Sequence, residues 1–332
     1  MKVFALPRLQ LIQRHIHPSS SAARAISHDA AMANLTIKSK VRMNSGYEIP
    51  VLGYGVGGSI RWEGSHTDHD PADICEAVVA HAFEKGYRHV DSAAAYRNEA
   101  PCGAAVRKSG IPREEVFFTS KIPARKLGYE NTKSQVNTTL KETGLDYVDL
   151  MLIHAPYGGR DARKGAWKAL VEAQEEGKIR SLGVSNYGVH HLDEMEIYMK
   201  ELEQERGKGK AGIVSINQLE LHPWLARPDV VQWCEKRSII LEAYSPLVRG
   251  ERMDEKVLQP LAKKYEKTPA QILLRWSLQR GFVPLPKSVT PTRIEDNAEI
   301  FDFELTAEEM KSLETGQYAP CTWDPTVATL EQ

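Results

Sequence analysis

Four polar residues stand where a chain of this pattern can bring them together: Asp91, Tyr96, Lys121 and His154. Three of them belong to apolar stretches, His89-Val90-Asp91, Phe117-Phe118-Thr119-Ser120-Lys121 and Leu150-Met151-Leu152-Ile153-His154. A lone charge on such a stretch is costly unless a partner meets it. Taken singly, they read as a buried Asp91–Lys121 ion pair and a satisfied core histidine. Taken together they suit one chemistry. A phenol with an ordinary pKa of about 10 donates poorly at neutral pH unless its anion is stabilised. The expectation is that Lys121 favours the Tyr96 phenolate by direct attraction, while Asp91 keeps Lys121 charged and in place. His154 then orients a carbonyl oxygen and shares the proton. Such a set fits carbonyl reduction, in which carbon receives hydride and oxygen receives the proton.

A cofactor must supply that hydride. Ser185 and Asn186, Gln218 and Tyr244 end three further apolar runs, so amides and a hydroxyl can grip a carboxamide while an aromatic face stacks on a ring. Lys287-Ser288-Val289-Thr290-Pro291-Thr292-Arg293 sets two cations among hydroxyls at a helix start, which suits a phosphate or an ordinary basic helix cap.

These residues need a frame. Residues 36–43 and 47–50 read as a hairpin turning at Asn44-Ser45-Gly46. Strand-like runs then occupy 51–55, 89–93, 116–122, 147–154, 179–186, 214–220, 239–244 and 282–287, separated by helical stripes such as Ile74, Val78, Val79, Ala82 and Phe83. Strand followed by helix, repeated eight times, predicts parallel strands closed into a (β/α)8 barrel with the hairpin under its bottom; an open doubly wound sheet is the other arrangement with this rhythm. In both, ligands gather at the carboxyl ends of the strands. Gly53-Tyr54-Gly55-Val56-Gly57-Gly58 matches a dinucleotide fingerprint, but a polar loop follows instead of a helix, so the glycines are expected to form a tight strand-to-loop turn.

The balance of 43 basic against 44 acidic residues gives no reason to expect nucleic acid as a partner. No apolar run approaches the roughly 20 residues needed to span a bilayer, so no membrane role is expected and a monomer is the default. Cys75, Cys102, Cys234 and Cys321 are spaced without a CxxC pair, which predicts neither zinc site nor redox dithiol; His66 and His69 read as loop histidines, and no metal is expected. Residues 1–33 carry Lys2, Arg8, Arg14 and Arg24 with no acid before Asp29, a composition shared by mitochondrial presequences and disordered extensions. The expected organisation is that extension followed by one barrel domain, 34–332, in the cytoplasm, or in mitochondria if the extension is a presequence.

The motifs resemble those of the aldo-keto reductase family over residues 35–313. Gly86-Tyr87-Arg88-His89-Val90-Asp91-Ser92-Ala93 with Tyr96, Asn98 and Glu99 is similar to a first signature. Leu145-Asp146-Tyr147-Val148-Asp149-Leu150 through His154-Ala155-Pro156, and Gly177-Lys178-Ile179-Arg180-Ser181-Leu182-Gly183-Val184-Ser185-Asn186-Tyr187, are similar to the middle ones. Asn217-Gln218 with Glu220, His222 and Pro223, and Pro286-Lys287-Ser288 with Arg293 and Asn297, resemble the rest. The resemblance implies the barrel, an Asp91, Tyr96, Lys121, His154 tetrad, and cofactor contacts at Ser185, Asn186, Gln218, Tyr244, Ser245 and Leu247. It also implies an adenosine 2′-phosphate site at Lys287, Ser288, Arg293 and Asn297, hence NADP(H) as cofactor and a small carbonyl compound as substrate. Where many members carry a threonine and tryptophan this chain has Val56-Gly57, and two further tryptophan positions are Pro123 and Ala155. Gly57, Pro123 and Ala155 therefore predict a wide, less aromatic pocket for bulky carbonyl compounds. Two other readings remain open: a Schiff-base aldolase using Lys121, which requires a lowered lysine pKa, and a non-catalytic cofactor-binding or regulatory subunit.

Overall fold

The computed structural model describes residues 35–57 and 71–331, so residues 1–34 and the histidines at 66 and 69 lie outside it. An antiparallel hairpin comes first, β1 (Lys40–Arg42) pairing with β2 (Glu48–Pro50). Pairing starts later than the expected Thr36, because Thr36 O instead accepts from Ser39 N–H at 2.9 Å in a local turn.

Eight parallel strands follow in chain order around one sheet: β3 (Tyr54–Gly55), β4 (His89–Asp91), β5 (Phe117–Ile122), β6 (Val148–Ile153), β7 (Ile179–Ser185), β8 (Val214–Glu220), β9 (Ile240–Tyr244) and β10 (Val283–Leu285). Between and after them run α1 (Pro71–Glu84), α2 (Glu99–Lys108), α3 (Tyr129–Thr143), α4 (Gly159–Glu175), α5 (Val189–Arg206), α6 (Pro228–Glu235), α7 (Leu258–Tyr265), α8 (Pro269–Gln279), α9 (Pro291–Asp296) and α10 (Ala307–Ser312). The strands are buried along both faces, as parallel strands under a helical layer must be, which is why they read as apolar runs. Helix starts are written locally too. Thr268 and Gln271 form a reciprocal capping box at the start of α8, with Pro269 in its first turn.

First and last strands meet. Gly53 N–H donates to Pro284 O and Gly55 N–H to Pro286 O, both at 3.0 Å, and the sheet closes into a (β/α)8 barrel. A Cβ at Gly55 would lie 3.0 Å from Leu285 O, and one at Gly53 2.5 Å from Leu285 Cδ2. The expected strand-to-loop turn is thus corrected: these two glycines lie along the closing seam, and what they supply is close approach between strands.

Met43 and Ile49 of the hairpin pack with Phe117, Leu150, Leu152, Ile216 and Val283 in one buried cluster. Phe117 and Val283 open their strands, so the hairpin plugs the amino-terminal end of the barrel. Asn44 Nδ2 donating to Val214 O at 2.9 Å fixes the hairpin turn there. The other end is crossed by residues 318–330, a segment with no periodic signal in the sequence. Arg227 binds Asp324 and Thr326, His190 Nε2 lies 2.7 Å from Ala328 O, and Arg163 donates to Leu330 O at 2.7 Å. No helix among the described residues is long and apolar enough to cross a membrane.

Candidate active site

Asp91 ends β4, Lys121 is the penultimate residue of β5, and His154 follows β6 directly. Tyr96 closes a short 3-10 turn, Ala94–Tyr96, after which Arg97 takes a left-handed φ of 57° and reverses the chain. Asn98 holds this turn down: its Oδ1 accepts from Ser92 Oγ at 2.8 Å and its Nδ2 donates to Val56 O at 2.9 Å. All four expected residues converge at one mouth. Lys121 Nζ stands 2.7 Å from both oxygens of Asp91 and 2.8 Å from Ser92 O, and 5.1 Å from the centroid of the Tyr96 ring. The rings of Tyr96 and His154 meet edge to face at 5.5 Å.

Burial dominates the electrostatics. It opposes the charge on Lys121, but Asp91, with Tyr96 and Glu242 adding to it, more than reverses this and the ammonium is held above its ordinary value. A lowered lysine, which a Schiff-base role requires, is not what this surrounding produces. Burial raises the Tyr96 hydroxyl above its ordinary value, and Lys121 offsets part of that rise. The expected net acidification is therefore corrected in sign, although the lysine acts in the expected direction. Burial, then Lys121, push His154 down to about 3, so its imidazole is neutral at neutral pH, and the expected protonated ring that shares its proton is not what this surrounding favours.

The expected cofactor residues form a second tier beside this one. Asn186, at φ 63°, donates through Nδ2 to His154 O at 2.9 Å and to Ser185 Oγ at 3.1 Å, and its Oδ1 accepts from Tyr244 at 2.8 Å. Ser185 Oγ donates to Gln218 O at 2.9 Å. Gln218 differs from expectation: its Nε2 is turned into the barrel, toward Asp91 and toward a buried Glu242 that stands inside an apolar run. Ser245, Val248 and Arg249 take left-handed φ values in the loop that contains Leu247. Around β10, Lys287 and Arg293 are exposed, whereas Asn297 is buried and follows the last residue of α9. Although Lys287 is exposed overall, neighbouring atoms strip enough water from its ammonium that desolvation first, and Arg249 besides, hold it below its ordinary value, an arrangement that an anion would relieve.

The pocket positions divide. A Cβ on Gly57 would lie 3.1 Å from Tyr96 Cζ, so its role is to leave room for the phenol. Pro123 is half-buried beside Lys121's strand, while Ala155 is fully buried and offers no open wall. Aromatic surface comes instead from Trp323, whose ring stands 6.1 Å from that of His154 and 6.0 Å from that of Tyr157. The three positions themselves are non-aromatic, and Trp323 and Tyr157 add aromatic surface near His154. Trp323 is held because Glu220 Oε1 accepts from Cys321 N–H at 2.6 Å, and its other oxygen from the Thr322 hydroxyl and N–H. Glu220, His222 and Cys321 are also grouped as metal ligands would be, but the carboxylate is spent on this segment and on His222 Nε2 at 2.9 Å. Among the thiols, the sulfurs of Cys75 and Cys102, on α1 and α2, lie 3.4 Å apart, both buried and free. A cavity of about 290 Å³ lined by Arg42, Tyr47, Glu48, Asp149 and Arg180 lies at the hairpin end and includes none of the tetrad.

Residues 55–316 match the model of the aldo/keto reductase family. A glyoxal reductase of Bacillus subtilis is 40% identical over 279 residues, 84% of this chain and 93% of its own. An uncharacterized oxidoreductase of Schizosaccharomyces pombe is 41% identical over 295 residues, 87% of this chain and 98% of its own. Among solved structures, an aldo-keto reductase of Bombyx mori in complex with NADP superimposes with a TM-score of 0.73 at 31% identity, covering 87% of this chain and 96% of that one.

Proposed function

This chain belongs to the aldo/keto reductase family, and from that premise we propose that it reduces an aldehyde or ketone to an alcohol with NADPH, Tyr96 giving the proton. The observation that carries the reading is the Lys121 ammonium, clamped at 2.7 Å by both oxygens of Asp91 and 5.1 Å from the Tyr96 ring centroid. The Tyr96 phenol is protonated at neutral pH and ready to donate. As the proton leaves, the phenolate meets a fixed positive charge that costs no reorganisation, so the stabilisation grows with the charge that develops. The neutral His154 ring donates a hydrogen bond to the carbonyl oxygen and so orients it toward Tyr96. When bound, the reduced nicotinamide supplies the hydride to the carbonyl carbon. Ser185, Asn186 and Gln218 would hold its carboxamide and Tyr244 its ring face. Ser245 and Leu247 would lie along its diphosphate, and Lys287, Ser288 and Arg293 at the 2′-phosphate. Buried Asn297 would support that last group from behind.

The substrate we propose is a bulky carbonyl compound with an apolar body that lies against Trp323 and Tyr157. A carbonyl panel of graded size, containing glyoxal because of the Bacillus subtilis relative, is assayed with NADPH and NADH on wild type and Tyr96→Phe. The substitution is expected to remove nearly all turnover, roughly a hundredfold or more for a lost general acid, while NADPH binds as before. Retained turnover would refute the role of Tyr96. Small aliphatic aldehydes turned over far better than large ketones would refute the pocket reading, and no NADPH oxidation across the panel would favour a non-catalytic subunit.

A further inference from the structure

Beneath the Asp91–Lys121 pair the barrel holds a second carboxyl that the proton-transfer scheme leaves unused. Glu242, in the middle of β9, is completely buried. Gln218, from the neighbouring β8, donates through Nε2 to Glu242 Oε2 and to Asp91 Oδ1, each at 2.9 Å. Glu242 Oε1 has no hydrogen-bond partner and lies 3.5 Å from His89 Nε2. That histidine, on β4, has Thr119 Oγ1 at 3.0 Å and the Phe117 ring edge-on at 4.9 Å. From β5 the charge of Lys121 acts on Glu242, and on its other side β10 sets only Val283 opposite it.

We propose that Glu242 is a positioning residue for the carboxamide end of the cofactor: with Asp91 it commits both hydrogens of the Gln218 amide to the barrel interior, leaving the amide oxygen as the end that can receive a hydrogen bond from a ligand. The inference rests on the reading above that Gln218 meets the nicotinamide carboxamide. A primary amide is nearly symmetrical in shape, so its orientation is set by what it faces. One carboxyl would leave one N–H unclaimed. Two of them make the flipped amide present its oxygen to two other oxygens, which a buried site penalises heavily.

Charge balance gives the device a second property. Lys121 already cancels Asp91, so an ionised Glu242 is a second negative charge in a closed compartment. Burial first, and the Asp91 carboxylate next, push Glu242 up to about 8. Below that pH it is an acid carrying its proton on Oε1, because Oε2 accepts from Gln218. Above it, the added negative charge favours the cationic oxidised nicotinamide over the neutral reduced one.

The test measures dissociation constants of NADPH, NADP+ and 2′,5′-ADP by fluorescence quenching from pH 6 to 10, on wild type, Glu242→Gln and Glu242→Leu. In wild type the preference for NADP+ over NADPH is expected to grow about five- to tenfold as pH rises through about 8, the effect of one unit charge at an effective dielectric near 20. Glu242→Gln keeps an acceptor for Gln218 but cannot ionise, so it binds NADPH normally at pH 7 and shows a flat preference. Glu242→Leu weakens NADPH and NADP+ about tenfold, the worth of roughly one hydrogen bond, and leaves 2′,5′-ADP, which lacks the carboxamide, unchanged. If wild type binds 2′,5′-ADP and NADPH but Glu242→Leu loses neither, Glu242 has no positioning role. Should the leucine variant not fold, an identical pH course in wild type and Glu242→Gln overturns the inference. If wild type binds none of the three, the cofactor reading itself falls and takes this one with it.

Discussion

Lys121 keeps its charge in a compartment that disfavours it because both oxygens of Asp91 stand 2.7 Å away. Each partner is then a liability without the other. Lys121→Met is expected to abolish turnover and to cost about 3–5 kcal/mol of stability, since it leaves a buried carboxylate uncompensated. Adding Asp91→Asn to that variant should recover most of the stability and none of the turnover, which urea denaturation beside a rate assay would check. Asp91, Lys121 and His154 were legible in the sequence because each is a polar residue on an apolar run. Glu242 carries the same signal, within Ile239-Ile240-Leu241-Glu242-Ala243-Tyr244, and was passed over because it stands inside its strand and not at the end where ligands gather. The sign of the Tyr96 shift was not legible at all: neighbouring charges can be guessed from a sequence, but the depth of burial that outweighs them cannot.

Tyr96 reaches the mouth because a three-residue turn is pinned by Asn98 to Val56, one residue before Gly57. The absent side chain at Gly57 is part of that placement. Gly57→Ala would put a methyl group 3.1 Å from Tyr96 Cζ, and it is expected to lower kcat about tenfold or more while costing about 1 kcal/mol of stability, the low end of the overpacking range, since the position is half-buried. A melting curve and steady-state rates on the same preparation separate the two effects; unchanged kcat would remove the steric argument. Strand and helix order was legible because buried parallel strands read as continuous apolar runs, and the hairpin because its turn residues stand between alternating stretches. The segment 318–330 was not, since its hold consists of single long-range bonds such as Arg227 to Asp324 and Glu220 to Thr322, which leave no periodicity. For the same reason no spacing rule joined Cys75 to Cys102, which meet only because α1 packs on α2.

The barrel as a whole stores protonation states that differ from those of the unfolded chain. His89, His154 and His191 are each pushed down to about 3 by burial, so the folded protein holds them neutral while an unfolded chain would protonate them below its ordinary 6.5. Their contribution to stability is therefore complete above pH 6.5 and is lost as pH falls from there toward 3. Glu242 works the other way: raised to about 8 from an ordinary 4.5, it contributes stability below 4.5 that is lost as pH rises through 8. Glu99 and Asp149, raised by burial, work in the same direction as Glu242, so the three histidines carry stability upward only below pH 6.5, nothing among these groups adds to it above, and the maximum falls near or below 6.5. Denaturant midpoints taken across that range check this, and a maximum at or above pH 8 would contradict it. Closure of the barrel was foreseen from eight repeats, although an open sheet has the same rhythm; only the Gly53 and Gly55 bonds across the seam decide between them. The same division between a deep lattice and a tied-on covering bears on how such a protein can acquire new preferences. Because Trp323 rides on a ribbon stitched to the barrel by Glu220 and Arg227, the ribbon is an exchangeable part: grafts that retain the residues at 324 and 326 should re-tailor which molecules are admitted and leave the machinery underneath untouched.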